Sequence, residues 1–283
     1  MKQQALKFAA GITYYNPDDA CLNKLERYLN IFNMVFIYDN SEDNSNYIEY
    51  IKNKPRVFYM TAHRNDGLPK AFNQILDKCI GQCDYLCMLD QDSEFANSEI
   101  AKMMQFITIS DSEDIGIFAP KIIYSHENIR SKIARESSSY SETNWVIASG
   151  SFIRIKSVFQ AEIRFDEAYF IDRFDVDFCR QLRSKNFKII IYNKVKLFQQ
   201  LGSTGRWHHS QHAPFRHYYI FRNRLYYNRK FYSLGKQCII SFLQSLRHFF
   251  YIIVYEDERI AKIKYCFQGM YDYIEGNMGC KNK

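Results

Sequence analysis

The stretch that decides the fold is YLCMLDQD, which occupies residues 85–92. It begins with a continuous apolar run, and a short run of this kind is typical of a strand buried on both faces of a parallel sheet. Asp90 and Asp92 follow at once. Because parallel sheets bind their ligands at the carboxyl ends of the strands, this stretch predicts both a central strand and a polar site at its end.

Apolar runs of the same kind recur on both sides of this strand, and helical patterns separate them. The predicted strands are FAAGITYY (8–15), MVFIYDN (34–40), RVFYMTA (56–62), IGIFAPKIIY (115–124), NWVIASGSFIRI (144–155) and KIIIYNKVKLF (188–198). The strand at 144–155 is predicted to contain a bend at Ser149-Gly150-Ser151. The predicted helices are one that starts at Asn16 or Asp18 and runs to about Phe32, and others at 46–53, 68–79, 100–115 and 174–185. This alternation indicates βαβ units and a mainly parallel α/β sheet. The polar, serine-rich residues 124–143 are predicted to form a loop or flap.

The composition is that of a globular protein and excludes several classes. The 283 residues (33.8 kDa) are 47% apolar and 24% charged, which excludes a disordered, collagen-like or coiled-coil chain. No GxGxxG motif follows the first strand and no GxxxxGKS/T motif occurs, which argues against a dinucleotide enzyme and a P-loop NTPase. The eight cysteines form no CxxC pair and fit free thiols in a reducing cytoplasm.

The net charge of +7 is concentrated between Arg206 and Lys236, a segment without any acidic residue. Such a segment attracts phosphate, whether the phosphate belongs to a nucleotide, a nucleic acid or an anionic lipid surface. No nucleic-acid-binding motif accompanies the basic residues, so we expect no nucleic-acid partner.

Two helical patterns end the chain, after a basic, tyrosine-rich helix predicted at 214–231. Residues 238–255 are apolar but include Gln244, Arg247 and His248, so we predict that they do not span a membrane. The helix predicted at 236–254 has three open interpretations. It docks on its own domain, pairs with a second subunit in a homodimer, or lies on a membrane surface as a peripheral contact.

Polar clusters coincide with the predicted carboxyl ends of three strands: Asp39, the loop after Thr61, and the pair Asp90 and Asp92. All three should open onto one edge of the sheet, although capping and turn chemistry would explain each cluster singly. Two carboxylates one residue apart at a strand end can hold a hard divalent cation beside phosphate oxygens. A carboxylate at Asp39 would accept hydrogen bonds from a ribose or a base.

Residues 165–177, FDEAYFIDRFDVD, place carboxylates densely among aromatic side chains. Partly buried acids at the start of a helix can have raised pKa values and act as general bases. The alternative is that these acids only stabilise the N-terminus of the helix through its dipole.

One ordered set of motifs runs through residues 8–230. It consists of Asn65-Asp66-Gly67 with Ala71 and Asn73, Leu89-Asp90-Gln91-Asp92-Ser93, Ile115-Gly116, Ala119-Pro120, Ala148-Ser149-Gly150-Ser151, Phe165-Asp166-Glu167, Phe170-Ile171-Asp172, Tyr218-Tyr219 and Arg222-Asn223. In order, spacing and strand context this set resembles the inverting glycosyltransferase family 2. Within that family it is most similar to the bacterial rhamnosyltransferases that build capsule and O-antigen polysaccharides.

The resemblance implies a GT-A fold and a nucleotide-diphosphate-sugar donor. It implies that the donor nucleotide is bound by Thr13, Tyr14, Asn16, Asp39, Asn65, Gly67 and Asp90. It also implies that Asp92 and Asp90 bind Mg²⁺ or Mn²⁺ and that Asp175 is the general base. The remaining implied contacts are Arg216 and Arg222 to the diphosphate, and Ser149, Gly150 and Asp172 to the acceptor or sugar.

The sequence departs from the family pattern at three places. Phe174 stands where the first acid of the catalytic pair is usual, and Asp177 stands where a Glu is common. The His of a His-x-x-Gly pattern is replaced by Gln199. We therefore expect a different histidine, His212, His208 or His209, to contact the metal or a phosphate.

These features lead to the expectation of a metal-dependent inverting glycosyltransferase. It would move L-rhamnose from dTDP-rhamnose to a hydroxyl of a cell-surface polysaccharide or lipid-linked oligosaccharide, in the cytoplasm at the inner face of a bacterial membrane. Residues 1–230 would form the GT-A domain and 231–283 a C-terminal helical extension that contacts a membrane or a second subunit. The alternatives are a nucleotide-sugar nucleotidyltransferase and a non-catalytic module that binds membrane surfaces.

Overall fold

The computed structural model describes residues 5–42, 47–124, 138–199, 203–204 and 210–281. These residues form two compact units. The first contains the described residues of 1–123, 128–166 and 175–199, and the second contains those of 124–127, 167–174 and 200–283. The residue range of the second unit therefore starts well before the boundary expected at 230.

The described strands supply the sheet of the first unit and a short ribbon in the second. They are β1 (Phe8–Tyr14), β2 (Met34–Asp39), β3 (Val57–Thr61), β4 (Tyr85–Asp90), β5 (Ile115–Tyr124), β6 (Tyr140–Glu142), β7 (Phe152–Arg154), β8 (Lys188–Gln199), β9 (Ser203–Thr204) and β10 (Ser210–Gln211).

The described helices fall into both units, and a 3₁₀ turn covers Glu167–Tyr169. In the first unit they are α1 (Asp19–Leu29), α2 (Tyr47–Lys52), α3 (Leu68–Cys79), α4 (Asn97–Ser110), α5 (Ile155–Gln160) and α6 (Phe174–Ser184), of which only Phe174 falls in the second unit. In the second unit they are α7 (Pro214–Phe231), α8 (Leu234–Tyr255) and α9 (Arg259–Glu275).

The sheet of the first unit has the strand order β3-β2-β1-β4-β7-β5-β8-β6 within the described ranges. β3, β2, β1 and β4 pair in parallel. β7 is antiparallel to both of its neighbours, and β6 is antiparallel to β8. The α/β sheet is therefore mixed, and the predicted parallel arrangement holds for its N-terminal half.

The central strand β4 is buried from Tyr85 to Leu89, as its apolar run predicts. Its neighbour β1 is buried along its whole length. Gly11 in β1 allows α3 to pack closely, because a Cβ atom there would lie 2.8 Å from Cγ2 of Ile75. The edge formed by the ends of these strands is therefore carried on a rigid, fully packed centre.

The predicted bounds agree with the structure for α3, β5 and α7. Other predictions differ from the structure. The helix expected at 100–115 covers Asn97–Ser110. The bend expected at Ser149-Gly150-Ser151 is confirmed, since Gly150 has a positive φ of 78°, but within the predicted stretch 144–155 only Phe152–Arg154 forms a strand. Part of the expected loop at 124–143 is the strand β6, and residues 125–137 lie outside the described residues.

The helix α8 exposes most of its apolar side chains, although Ile252 is buried in the core of the second unit with Phe221 and Cys266. Ser241, Gln244 and His248 lie at helical spacing on the side that contacts α7. The opposite side is apolar and exposed, and it carries Ile239, Phe242, Leu243, Leu246, Phe250 and Ile253. By length and composition alone, α8 could cross a membrane. The helix has 22 residues, and its most apolar stretch has a mean hydropathy of 1.4 with 6% of its residues buried. This helix begins at Leu234, whereas the prediction that no segment spans a membrane considered only residues 238–255.

Within the second unit, α9 approaches α7 so closely that only glycine fits at residue 269. A Cβ atom on Gly269 would lie 2.4 Å from the carbonyl oxygen of Tyr218, which is backbone and cannot rotate away. We expect Gly269→Ala to lower the stability of this unit by about 1–3 kcal/mol, as overpacking typically does. Thermal unfolding of the full chain measures the effect.

Gly235→Ala is the matched control, because a Cβ atom there would meet nothing within 4 Å. Since alanine favours a helix over glycine, this control should leave the melting temperature unchanged or raise it slightly. Equal melting temperatures for the two variants would contradict the close approach of α7 and α9.

Candidate active site

The ends of three parallel strands bring predicted site residues to one edge of the first unit. Tyr14, at the end of β1, is in register with Asp39 at the end of β2. Thr13 is in register with Asp90 at the end of β4. Because the strands run in the same direction, these residues share the carboxyl edge at which α/β sheets bind ligands.

Hydrogen bonds join the loops that leave these strands. The backbone N–H of Tyr15 donates to Oε1 of Gln91 at 2.8 Å, and that of Asn16 donates to Oγ of Ser41 at 2.7 Å. The backbone N–H of Asn40 donates to the carbonyl oxygen of Tyr14 at 2.8 Å. The loops after β1, β2 and β4 therefore form one connected surface. Gln91 and Ser41 are part of it, although sequence reasoning did not single them out.

Asp39 is almost fully buried, and neighbouring groups donate hydrogen bonds to both oxygens of its carboxylate. Oδ1 accepts from the N–H and the hydroxyl of Ser41 at 2.9 and 2.5 Å, and Oδ2 accepts from Tyr59 Oη at 2.7 Å. Burial and the nearby Asp39 charge raise the pKa of Tyr59, so this hydroxyl remains a donor. Oδ2 retains a lone pair for one further donor, such as a group of a nucleotide.

The structure separates the two adjacent tyrosines at the end of β1. Tyr14 is 2% exposed and its hydroxyl lies 3.3 Å from the carbonyl oxygen of Cys21, so its side chain belongs to the core. Tyr15 is 49% exposed. At this edge Tyr14 therefore offers only backbone atoms, and Tyr15 offers an accessible aromatic ring that sequence reasoning did not select.

Asn65 and Gly67 shape the turn that begins α3. Oδ1 of Asn65 accepts from the N–H of Gly67 at 3.0 Å, and Gly67 has φ 81°, a conformation that favours glycine. Oδ1 of Asn40 accepts from the N–H of Asp66 at 3.0 Å, which ties this turn to the end of β2. Partial burial raises the pKa of Asp66. Hydrogen bonds from Tyr38, Lys70 and Arg64 outweigh this effect and hold the pKa below its usual value.

The two aspartates that follow β4 differ in exposure, with Asp90 half-buried and Asp92 exposed. Ser93 fixes the turn, because its hydroxyl accepts from the N–H of Asp90 at 3.1 Å and its own N–H donates to the Asp90 carbonyl at 3.1 Å. Carboxylate oxygens at a strand end are ligands that Mg²⁺ and Mn²⁺ prefer, so the donor set fits the expected ion.

Ser149 and Gly150, expected near the acceptor or sugar, are buried beside β4. The hydroxyls of Ser149 and Ser93 are 2.6 Å apart, and the N–H of Gly150 donates to the carbonyl oxygen of Met88 at 2.7 Å. A Cβ atom on Gly150 would lie 2.7 Å from Cδ2 of Leu197. These two residues therefore support the turn after β4.

Asp175 lies half-buried in the first turn of α6, and its Oδ1 accepts from the N–H of Val176 at 2.8 Å. Asp177 is buried and accepts from Nε2 of Gln181 at 2.5 Å. The aromatic ring of Phe178 stacks on that of Phe165, with the centroids 4.0 Å apart. Asp175 is therefore the accessible carboxylate of this turn, and Asp177 is a structural one.

Asn73 of α3 anchors the segment that leads to α6. Its Oδ1 accepts from the backbone N–H of Phe165 at 3.0 Å, and its Nδ2 donates to the carbonyl oxygen of the same residue at 2.9 Å. A buried amide that satisfies both backbone groups of one residue fixes that residue firmly. This contact explains why an asparagine occurs at that position of the motif set.

The remaining predicted site residues lie in the second unit. Arg216 forms a bidentate ion pair with Asp172, at 2.9 and 3.2 Å. Arg222 is 0% exposed and donates to the carbonyl oxygens of Gly279 and Tyr169 at 2.7 and 3.4 Å. The guanidinium of Arg222 thus serves the packing of this unit, and Arg216 is neutralised by a residue expected to contact the acceptor.

His212 is half-buried, and its Nδ1 has no hydrogen-bond partner in the described part of the chain. Burial and the charge of Arg216 lower its pKa, so the ring is neutral near pH 7. Its neutral state leaves a lone pair that could bind a ligand. The other two histidines considered, His208 and His209, lie outside the described residues.

Sequence reasoning missed a cluster of His217, His248 and Cys266, whose ligand atoms all lie within 4.8 Å of one another. Nη2 of Arg224 donates to Nδ1 of His248 at 3.0 Å, so the proton of the neutral ring is on Nε2. That nitrogen lies 2.9 Å from Nδ1 of His217 and donates to it. Burial and the Arg224 charge lower the pKa of His248 to about 3. This ordered network leaves no lone pair on His248 for a metal.

Several known proteins are similar to this chain. The sequence model of glycosyl transferase family 2 matches residues 12–188. The dTDP-rhamnosyl transferase RfbF of Shigella flexneri is 26% identical over 290 residues, which cover 95% of this chain and 96% of that protein.

Solved structures share the fold. S. aureus TarS 1-349 in complex with UDP-GlcNAc has a TM-score of 0.57 at 14% identity, and the match covers 95% of this chain and 81% of that one. GalNAc-T7 with UDP, GalNAc and Mn²⁺ has a TM-score of 0.55 at 12% identity, and the match covers 70% of this chain and 44% of that one.

The fold and these similarities define a nucleotide-sugar glycosyltransferase with a GT-A fold. The chain belongs to glycosyl transferase family 2, since the family match covers more than half of it. Within the family it is similar to a rhamnosyltransferase. The predicted family and fold class are thereby confirmed. A glycosyltransferase is a different class of enzyme from the nucleotidyltransferase that we considered as an alternative.

Proposed function

We propose that the protein transfers L-rhamnose from dTDP-rhamnose to a hydroxyl group of a cell-surface polysaccharide or lipid-linked oligosaccharide, with inversion at the anomeric carbon. The observation that carries the proposal is the similarity to a dTDP-rhamnosyl transferase over 95% of this chain. The carboxylates of the first unit, Asp90 and Asp92 at the end of β4 and Asp175 at the start of α6, would supply the chemistry that such a transfer needs. A cytoplasmic location at the inner membrane face follows from a soluble nucleotide-sugar donor and a lipid-linked acceptor.

The donor nucleotide would bind at the edge where the ends of β1, β2 and β4 meet. Asp39 has a lone pair for a donor of the ribose or base, and the Asn65–Gly67 turn lies next to the end of β2 through Asn40. Thr13 and Asn16 complete this surface. The exposed ring of Tyr15 is placed to stack on the base.

Asp175 is the group that we assign to proton transfer. In the proposed step its carboxylate removes the proton of the acceptor hydroxyl while that oxygen attacks the anomeric carbon, and the bond to the nucleoside diphosphate breaks. Asp92 and Asp90 would hold Mg²⁺ or Mn²⁺. When bound, such an ion stabilises the negative charge of the departing diphosphate. Arg222 and Arg216 have no role in this proposal because groups of the second unit already satisfy them.

A donor panel tests the proposal directly. The full chain is incubated with dTDP-rhamnose, dTDP-glucose, UDP-glucose or UDP-GlcNAc, with Mn²⁺, with Mg²⁺ or with a chelator, and the released nucleoside diphosphate is measured. We expect dTDP-rhamnose to be used at least tenfold faster than the other donors and the chelator to abolish turnover. NMR of the first sugar product should show an inverted anomeric configuration.

The outcomes separate the parts of the proposal. Preference for a UDP-sugar would refute the donor, and retention of configuration would refute in-line attack with Asp175 as the base. Full activity in chelator would refute the metal.

A further inference from the structure

A cavity in the second unit is lined by three arginines. Its volume is about 270 Å³, and its lining consists of Arg173, Arg224, Gln244, Arg247, His248 and Tyr251. None of these lining residues is acidic. Three guanidinium groups in one cavity repel one another, and an anion between them would remove that repulsion.

Arg224 is the buried member of this set, with 8% of its surface exposed. Its Nη1 donates to the carbonyl oxygen of Gln244 at 2.9 Å and its Nη2 to Nδ1 of His248 at 3.0 Å, and both acceptors are neutral. Its Nε–H has no hydrogen-bond partner within the described ranges. Burial, with the charges of Arg173 and Arg247, lowers the pKa of Arg224 to about 10. A buried charge without a counterion is unfavourable, so this guanidinium is suited to a bound anion.

The surroundings indicate where the anion comes from. Arg247 belongs both to the cavity and to the exposed flank of α8, beside the outward apolar side chains. Phe242 and Phe250 on this face are 67% and 60% exposed. The sequence contains no acidic residue from Phe178 to Tyr255. An apolar helix face with basic residues beside it is typical of a helix that lies in the headgroup region of an anionic membrane.

We propose that this cavity binds the phosphate group of an anionic membrane lipid, which reaches it along the Arg247 flank of α8 while the opposite, apolar face of the helix lies in the bilayer interface. Guanidinium groups bind phosphate oxygens through paired N–H donors, and Arg173, Arg224 and Arg247 bring such donors to one cavity. A free phosphate would satisfy the cavity but would leave the apolar face in water. A lipid headgroup accounts for both features. The proposal goes beyond sugar transfer and depends on the second unit alone.

Vesicle sedimentation of the full chain tests the proposal. We expect binding to phosphatidylglycerol vesicles and little binding to phosphatidylcholine vesicles. Arg247→Ala and Arg173→Ala should each weaken binding roughly fivefold or more, because each would remove a guanidinium group that contacts the lipid phosphate in the cavity. Arg229→Ala is the matched control. It removes an exposed arginine of α7 that does not line the cavity, and it should change binding by less than twofold.

Two further arms distinguish the sources of the phosphate. Phe250→Ser should weaken vesicle binding and leave the affinity for inorganic phosphate, measured in the presence of a chelator, unchanged. Phosphate binding that Arg247→Ala removes, without any vesicle binding by the unmodified protein, would overturn the lipid assignment. An equal loss of vesicle binding in Arg229→Ala and Arg247→Ala would show that the cavity is not the site at which the lipid binds. The rate of hydrolysis of the sugar donor in solution should be the same for Arg247→Ala and the unmodified protein. The lipid-binding proposal can therefore fail without any effect on the proposed sugar transfer.

Discussion

Asp175→Asn should lower kcat by roughly 10²–10⁴-fold, the usual contribution of a positioned general base. The substitution is close to isosteric, and the Asn side-chain oxygen can still accept from the N–H of Val176 as Oδ1 of Asp175 does. The start of α6 therefore stays intact, and only the ability to accept a proton is lost. Steady-state kinetics with dTDP-rhamnose and an acceptor measure kcat and KM separately.

Asp114→Asn is the control for this experiment. Asp114 is an exposed carboxylate of the first unit that pairs with Lys188 and has no place in the proposed site. The control should keep the activity of the unmodified protein. If Asp175→Asn raised KM for the acceptor and left kcat unchanged, Asp175 would be a binding residue and the assignment of the base would be wrong.

Asp92→Asn should lower kcat/KM for the donor by roughly 10²–10³-fold, because a metal ion contributes several kcal/mol of charge stabilisation and each 1.36 kcal/mol is a factor of ten. Asp92 is exposed in the turn after β4, so its replacement should not affect folding. Mn²⁺ binding, followed by electron paramagnetic resonance without any sugar donor, should weaken in parallel. This second measurement reports on the ion independently of turnover.

Glu94→Gln is the matched variant, because Glu94 is an exposed acid two residues further along that pairs with Lys24. It should bind Mn²⁺ as the unmodified protein does. Unchanged Mn²⁺ affinity in the Asp92 variant, together with normal activity, would remove this carboxylate from the metal site.

Local patterns in the sequence were sufficient to predict the parallel half of the sheet. The apolar run before Asp90 has no other stable place than a central strand, and the amphipathic pattern of 68–79 fixes α3. Once the strands are parallel, their polar ends must meet at one edge. For this reason the sequence alone predicts that Asp39 and Asp90 lie at the same edge of the sheet, as the strand register has them.

The failures have a common physical cause, which is dependence on residues far away in the sequence. Whether Tyr14 or Tyr15 faces water depends on where β1 ends, and the chain leaves the sheet between them. Arg222 belongs to a strongly basic segment that suggests an exposed phosphate site. Its actual partners include the carbonyl oxygens of Tyr169 and Gly279, which are distant in sequence and not evident from composition.

The outward phenylalanines and leucines of α8 also determine how the purified protein should behave in a lipid-free buffer. Exposed apolar side chains favour self-association in water. The size of the protein oligomers should therefore increase with protein concentration and with added sulfate, which strengthens apolar association. A mild detergent should reverse this growth by coating the same side chains. We therefore expect preparations of the full chain to be most homogeneous in micelles or nanodiscs.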